Sequence, residues 1–473
     1  MHWTGRSLMN GSEGKPGRGV LRGIAAGVLA VATVAVVTAA KAPAPPGGTW
    51  TLVKVPLPAN ADHTYAELSS VACASSVCAA VGSYTGSAGS RGLVLTRLKA
   101  RTGWKAVQAP VPAGAARNPF AVLSAVACGS AARCAAIGAY YLRSGQQQAM
   151  LLTGLGSSWT AVKAPVPAGG RRVTVDAVAC GSASFCVAGG SYVDSSGEMQ
   201  GLLLTWSGRS WTAAKAPLPA TPFQDPTGSI TNVTCPSARA CVATGSYVDT
   251  EQNQQGMLLT GAGSSWTVVR SPVAGLIPGP VACISSSRCV AAARIEERSM
   301  LVTGSGKSWR ATSPPLPPNT ISERLSGLSS IACGPSACVT DGTYDAKVGS
   351  QVEGEALLLT GSGMSWKAAQ APVPPNARMD GSPSLSQVAC PSASPCLAAG
   401  AYEVAAGYQR GLLESGTGSS WKATSAPQPA GATPSIYSQP SGLACASGST
   451  CFDVSSYAQL SGNIQPLILT GPS

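Results

Sequence analysis

Apolar residues in this chain come in short bursts, not in helical stripes. Segments such as GLLLT, GMLLT and ALLLT, or VDAVAC, LSSVAC and LSSIAC, run five or six residues before Gly, Ser or Pro interrupts them. Bursts of that length, rich in β-branched residues and bounded by turn formers, predict many short strands. The bursts also repeat. Trp50, Trp104, Trp159, Trp211, Trp266, Trp309, Trp366 and Trp421 open eight copies of one unit, spaced 52–57 residues apart except for the fifth, which spans 43 and lacks the Gly-Ser-Tyr segment after Cys289. Each copy predicts four strands: a Trp strand closed by Pro-x-Pro, a strand of small residues ending at a Cys, a strand starting at a second Cys (CVAGGSYV), and an apolar strand (GLLLT). Pro cannot donate to a ladder, so Pro-x-Pro stops pairing. Four strands at this period is the pattern of a propeller blade.

The ends of the array sharpen the expectation. The first copy opens on its Trp strand with no apolar strand before it, and the last finishes on the apolar strand Pro466-Leu467-Ile468-Leu469-Thr470 with no Trp strand after it. The two leftovers complete one blade and leave no open sheet edge. The expected fold is therefore all-β: an eight-bladed β-propeller with four-stranded blades, its N- and C-terminal strands sharing the closing blade.

The turn before each Trp reads Gly-x-Ser-Trp or close to it. Gly156, Gly208, Gly263, Gly306, Gly363 and Gly418 stand three before their Trp, which resembles a degenerate Asp-box turn of sialidase-like propellers. The Asp that defines that turn would fall at Gly154, Trp206, Gly261, Gly304, Gly361 and Gly416, and is absent throughout. The whole cassette also resembles repeats of secreted actinobacterial proteins. The resemblance implies the fold and says almost nothing of activity: sialidase chemistry would need an Arg cluster, a Tyr–Glu pair and an acid, and no such set is evident.

Composition adds the compartment. The 16 Cys fall into eight close pairs, Cys73–Cys78, Cys128–Cys134, Cys180–Cys186, Cys235–Cys241, Cys283–Cys289, Cys333–Cys338, Cys390–Cys396 and Cys445–Cys451, each bracketing a turn between two strands. Facing residues of a hairpin lie about 4.5–5.5 Å apart at the α carbon, a span that a disulfide accepts. Closing so small a loop contributes roughly 2 kcal/mol in the chain-entropy model. One disulfide per blade is expected, and with it an oxidising compartment. A zinc site wants more ligands than any copy supplies, and Cys-x-x-Cys is missing. At the N-terminus, residues 1–22 are basic (Arg6, Lys15, Arg18 and Arg22 against Glu13), residues 23–40 are uncharged and apolar, 41–48 form a Pro/Gly linker, and 49–473 hold the repeats. Residues 23–40 read as the core of an export signal; their length also admits an uncleaved membrane anchor. The protein is expected to be secreted or extracytoplasmic, touching a membrane only through that segment if it is retained.

Few residues carry chemistry. His2 and His63 are the only histidines, too few for a metal cluster. Asp249-x-Glu251-x-Asn253 alternates oxygen ligands as calcium loops do, yet no Gly follows at the bend and the third copy keeps only Asp194 and Glu198; a solvated loop is expected. Beyond residue 40 there are 28 basic and 19 acidic residues. One basic residue recurs in every Trp strand (Lys54, Lys105, Lys163, Lys215, Arg270, Arg310, Lys367, Lys422), where it guards an outer edge against association. Without basic runs interleaved with aromatics, no nucleic-acid partner is expected. No metal and no cofactor is expected, and the chain reads as a monomer. The repeat Trp residues should pack blade against blade; Trp206, outside the pattern, is expected exposed in a turn.

Strand order gives a propeller two unlike faces. One collects the Cys-bracketed and Gly-x-Ser-Trp turns, short and uniform. The other collects the connections after Pro-x-Pro and the loops after Gly-Ser-Tyr, which vary: NPFAVLS (118–124), TPFQDPTGS (221–229), NTISERLSG (319–327), NARMDGSPS (376–384). Variation concentrated on one face marks where ligands dock. Tyr84, Tyr140, Tyr192, Tyr247, Tyr344, Tyr402 and Tyr457, each six after a second Cys, are expected to ring that face, joined by Arg171, Phe223 and Arg324. The function read from this is non-catalytic binding of a protein or envelope polymer such as a glycan; the alternative is a glycan-active hydrolase or lyase with its site on the same face.

Overall fold

The computed structural model describes residues 49–472 except 88, 99–102, 131–132, 220–226, 250, 349–350, 379–382, 392–394, 438–439 and 447–449, and leaves aside the side chains of 322–326, 348, 351 and 434–437. The expectations for residues 1–22, 23–40 and 41–48 lie outside the described residues. Among the described residues there is no helix; every element is a strand, and none is a helix long and apolar enough to cross a membrane.

Six sheets have four strands each in the order of the chain, all antiparallel. The seventh sheet has nine strands and is two blades in one. One is the first blade, built from Ala61–Ala74, Val77–Gly86, Gly89–Arg97 and Lys105–Gln108. The other is the eighth, and a single parallel bridge, Tyr65 to Ile464, joins them. In the eighth blade the strand Ile464–Pro472 pairs with Thr51–Val53 from the other end of the chain, in the register Thr51 to Thr470. The expected shared blade is present.

Closure is complete in packing as well. Eight apolar clusters fill eight seams, each between neighbouring blades, and the seam between the eighth and first holds Phe452, Val454 and Ile468 against Leu68, Leu93 and Trp104. The innermost strands touch one another in sequence around the ring.

A repeated seat holds each Trp. The residue paired with it on the apolar strand is Gly in most copies (Gly154, Gly304, Gly361, Gly416), and a Cβ there would run into the indole lying on it. Gly471 seats Trp50 in the same way, so the strand that closes the ring docks as those four Trp strands do. In four copies the indole N–H then donates to its own turn, from Trp266 to Gly263 O and Trp309 to Gly306 O at 3.0 Å and from Trp366 and Trp421 to Gly363 O and Gly418 O. The expectation for Trp206 is corrected here. It is 7% exposed, ends the apolar strand Met199–Trp206 and pairs with Trp211, their rings tilted with centroids 5.9 Å apart. It occupies the seat that Gly holds in most other copies, and Arg133 from the preceding blade covers it at 5.8 Å.

All eight expected disulfides are formed, with Cα–Cα distances of 3.9–4.3 Å, and no described Cys is free. The bridge draws its two strands closer than an unbridged hairpin pair. Eight such bridges belong to an oxidising, extracytoplasmic environment.

The innermost strand carries one further device. In seven blades it bulges at the same point: Ser69, Ser124, Asp176, Thr231 and Ser386 are each skipped in the pairing, as are Gly279-Pro280 and Ser329-Ser330. The residue before the bulge pairs with the Gly of Gly-Ser-Tyr (Leu68 with Gly82, Leu123 with Gly138, Val175 with Gly190). A bulge brings backbones together and bends the strand. A Cβ on Gly82, Gly138, Gly190, Gly245 or Gly400 would fall on the carbonyl oxygen of Glu67, Val122, Thr174, Ser229 or Ser384. That contact explains why these strands carry Gly in their middle.

Candidate functional site

The two faces separate as expected. On one, the Cys-bracketed turns of neighbouring blades abut, and threonines ending the apolar strands donate to the next blade's turn, as Thr205 does to Gly263 O at 3.1 Å. On the other, each connection after Pro-x-Pro meets the loop of its own next blade: Ala116 N–H donates to Tyr141 O, Lys347 N–H to Asn319 O and Leu460 N–H to Gly431 O.

The tyrosines expected to ring this variable face are packed instead. Tyr84, Tyr140 and Tyr344 are 0% exposed, Tyr192 and Tyr402 are also buried, and Tyr247 and Tyr457 are half-buried. Their rings belong to the blade seams, and burial raises the pKa of Tyr84, Tyr140, Tyr192, Tyr247 and Tyr344. The hydroxyls act as clamps. Tyr84 donates to Asn60 Oδ1 at 2.8 Å, Tyr344 to Asn319 Oδ1 at 3.1 Å and Tyr402 to Asn376 Oδ1 at 3.0 Å. Each Asn sits two residues after a Pro-x-Pro, so the bond ties the loop to the blade. The second copy has Gly114 at that place, and the Tyr140 hydroxyl has no partner. Replacing Asn376 with Ala should therefore destabilise by about 1 kcal/mol, the worth of a part-buried hydrogen bond. Denaturant unfolding checks it; a change below the error of the midpoint would show that the clamp is idle.

A second clamp works in the third and fourth copies. Asp194 accepts from Ser196 N–H and Oγ–H, from Glu198 N–H and from the Gln200 amide. Asp249 accepts from Gln255, Asn253 and Glu251. These bonds, Ser196 foremost for Asp194 and Gln255 for Asp249, hold both carboxyls below their ordinary range. The alternating-oxygen loop at Asp249 thus spends its carboxylate on its own turn. In the second copy Leu142 replaces this Asp.

Between the second and third blades the variable face opens into a cleft of about 590 Å³. Val122, Ala139, Ala149, Val173 and Val175 give it apolar walls; Gln146, Gln147, Ser124, Thr174 and Arg172 give it a polar lip. Two bulky residues lie in the left-handed backbone region at equivalent positions eight before the first Cys of their blades: Arg172 at φ 51°, which lines the cleft, and Phe120 at φ 42°, two residues before the lining Val122. Such backbone is costly for a side chain with a Cβ and concentrates at functional sites. Phe120 is 55% exposed, its ring edge-on to Tyr141 at 6.0 Å. Arg171 is exposed at the same lip; Phe223 lies outside the described residues, and the strand Thr320–Cys333 carries Arg324, whose side chain is also outside them.

Beside the cleft stands Asp176, at the bulge of the third blade. Solvent reaches it, yet enough protein surrounds it that desolvation holds its carboxyl above the ordinary range. The equivalent positions of the other bulged blades hold Ser, Thr or Gly, so no second carboxyl joins it there. Glu355 is buried at 8% exposure, and three more acids lie deeper in the blades: Asp341, Glu414 and Asp453. Burial raises all three, Asp453 to about 7. Asp341 accepts from the Ser330 N–H and Oγ–H, whereas both oxygens of Glu414 and of Asp453 lack partners. They stand where other copies have aliphatic residues, inside seams and away from the cleft. Among the described residues no group of three His, Cys, Asp or Glu could hold a metal. His63 is exposed.

No family model matches the chain, and no curated protein matches it. Among solved structures it is similar to the β-propeller domain of the Trilobed protease from Pyrococcus furiosus, at 7% identity and a TM-score of 0.43 over 77% of this chain and 97% of that one. It is also similar to Trypanosoma rangeli sialidase, at 11% identity and a TM-score of 0.37 over 87% and 69%. A third is the BP39L lectin from Burkholderia pseudomallei, at 14% identity and a TM-score of 0.40 over 77% and 100%. The fold is a β-propeller. Its cleft and strained lip are features of this propeller's second and third copies, and the sequence signalled them only as departures from the repeat: AYYL with GQQQ where the next copy reads SYVD with GEMQ.

Proposed function

We propose that this is an exported, non-catalytic binding propeller that contacts a protein or an envelope glycan through its variable face. The observation that carries the reading is the cleft at the second and third blades. It is concave, apolar-walled and lipped by a few polar groups, as ligand sites are, and one of its lining residues, Arg172, is exposed and held in strained backbone. The opposite face is short-turned and stapled. Catalysis finds less support: Asp176 stands without a second carboxyl at the equivalent positions, and acid–base hydrolysis of glycosides uses a pair.

The test is capture from the native envelope with the full chain, with a variable-face variant (Phe120→Gly together with Arg171→Ala), and with Arg239→Ala on the stapled face. The expected result is a component retained by the full chain and by the Arg239 variant but lost by the first variant. Equal capture by all three, or by none, would overturn the reading.

A further inference from the structure

We propose that the cleft between the second and third blades is a saccharide site selective for acidic sugars, the residue Arg172 supplying the contact to a sugar carboxylate. The inference rests on the binding reading above and names its ligand class.

Four observations carry it. First, the lining holds no carboxylate, while Arg172 belongs to it and Arg171 adjoins it. Second, the arginines of this region are unspent. Arg143 lies in the loop that leads into Gln146, and Arg117 lies in the connection hydrogen-bonded to that loop through Ala116 and Tyr141. Arg117, Arg143, Arg171 and Arg172 are all exposed, and among the described residues none of them makes an ion pair. The acid that the third and fourth copies place in this loop, Asp194 and Asp249, is Leu142 here, so the loop of the second blade brings no carboxylate of its own to them. Four exposed arginines thus stand around the cleft against the single carboxyl of Asp176 beside it, whose partial burial disfavours its charge, and a guanidinium fork matches a carboxylate in two bonds.

Third, the rest of the lip offers amides. Gln146 and Gln147 are exposed, and each presents a donor and an acceptor side by side, the pairing that neighbouring sugar hydroxyls need. Ser124 adds an exposed hydroxyl from the bulge. Fourth, the walls are small and aliphatic: Ala139, Ala149, Val122, Val173 and Val175 form an apolar slot that would receive the C–H faces of a sugar ring. At about 590 Å³ the slot has the volume of a small-ligand site. An acidic peptide would satisfy the arginines but would leave the paired amides and the narrow slot without function.

The strain at Arg172 fits this role. Its positive φ aims a residue that would otherwise follow the strand, and Gly at the same place would keep the backbone and remove the fork.

The experiment uses the full chain with three soluble polymers: polygalacturonate, dextran and poly-L-glutamate. Isothermal calorimetry or affinity electrophoresis reads binding. Polygalacturonate should bind at least about tenfold more tightly than either of the others, a gap of about 1.4 kcal/mol. Arg172→Gly and Gln147→Ala should each weaken it about tenfold with unchanged thermal unfolding, and Arg239→Ala on the stapled face should leave it unchanged. Equal binding of dextran would overturn recognition of the acid. Equal binding of poly-L-glutamate would overturn recognition of the sugar. Insensitivity to Arg172→Gly would overturn the placement. If no polymer binds while envelope capture still depends on the variable face, this inference fails and the binding reading stands; if that capture fails too, both fall.

Discussion

Replacing Gly190 with Ala is expected to destabilise the protein by about 3 kcal/mol, the upper range for forcing an atom into packed structure. The added Cβ would land on the carbonyl oxygen of Thr174, a backbone atom fixed by the bulge at Asp176. A side chain could rotate away, but this carbonyl cannot without undoing the bulge. The change should lower the denaturant midpoint clearly, while Gly354→Ala, whose Cβ would meet nothing within 4 Å, should shift it by no more than about 0.5 kcal/mol. Equal effects at the two sites would show that the bulge is soft and yields at little cost. The fifth blade shows the alternative solution. There Ala293 replaces the Gly, and the residue paired with it is Pro278, followed by a bulge at Gly279-Pro280 opposite Ala292.

The second large effect concerns Asp453. Six copies place Ala at the equivalent position, two after the second Cys: Ala80, Ala136, Ala188, Ala243, Ala291 and Ala398. Asp453 is 0% exposed, opposite Leu443 and Leu469 in a seam of aliphatic residues, with neither oxygen bonded. Burial moves its carboxyl from 3.8 up to about 7. The folded protein therefore keeps the proton across a range in which the unfolded chain has already released it. Between about pH 4 and pH 7 the unfolded state binds fewer protons, so stability falls by about 1.4 kcal/mol per pH unit, and above pH 7 this contribution is constant. The total is on the order of 4 kcal/mol. Asp453→Ala should accordingly raise stability at pH 7.5 by about 2–4 kcal/mol and flatten the pH profile; Asp453→Asn should flatten it too, with a smaller gain, because an unbonded amide stays buried. Unfolding curves at a series of pH values decide this. A profile that keeps its slope in both variants would remove Asp453 as the cause and leave Glu414, which replaces a Leu in the neighbouring seam and whose carboxyl burial also pushes up.

The architecture was legible because it is written eight times over. The Trp, the Cys pair and the Pro-x-Pro each mark a strand boundary, and the unmatched strands at the two ends required closure. What escaped reading was governed by contacts between strands. The Gly of Gly-Ser-Tyr looks like a weak residue in a strand until its partner is seen to bulge toward it. The tyrosines beside it fall at strand ends, which suggested exposure, but an Asn from the connection after Pro-x-Pro covers Tyr84, Tyr344 and Tyr402. Trp206 broke the pattern and suggested a surface residue, whereas Arg133 of the preceding blade covers the seat it fills. The cleft was hidden for a related reason. The second copy stands out by what it lacks, the Asp that the third and fourth copies place two after the Tyr and the Asn that the first, sixth and seventh place two after Pro-x-Pro, and an omission is visible only once those clamps are known.

The strand that closes the ring sets an order in time. Seven blades are made of consecutive residues, and each can assemble and receive its disulfide as soon as its own segment has emerged. The eighth cannot, because Thr51 waits for Thr470, a partner 419 positions away. Contacts of such separation form late, since the loop between them must be closed first. Until then the first and seventh blades each present an uncovered flank, and the small bridged hairpins keep the finished blades in shape while the remaining chain arrives.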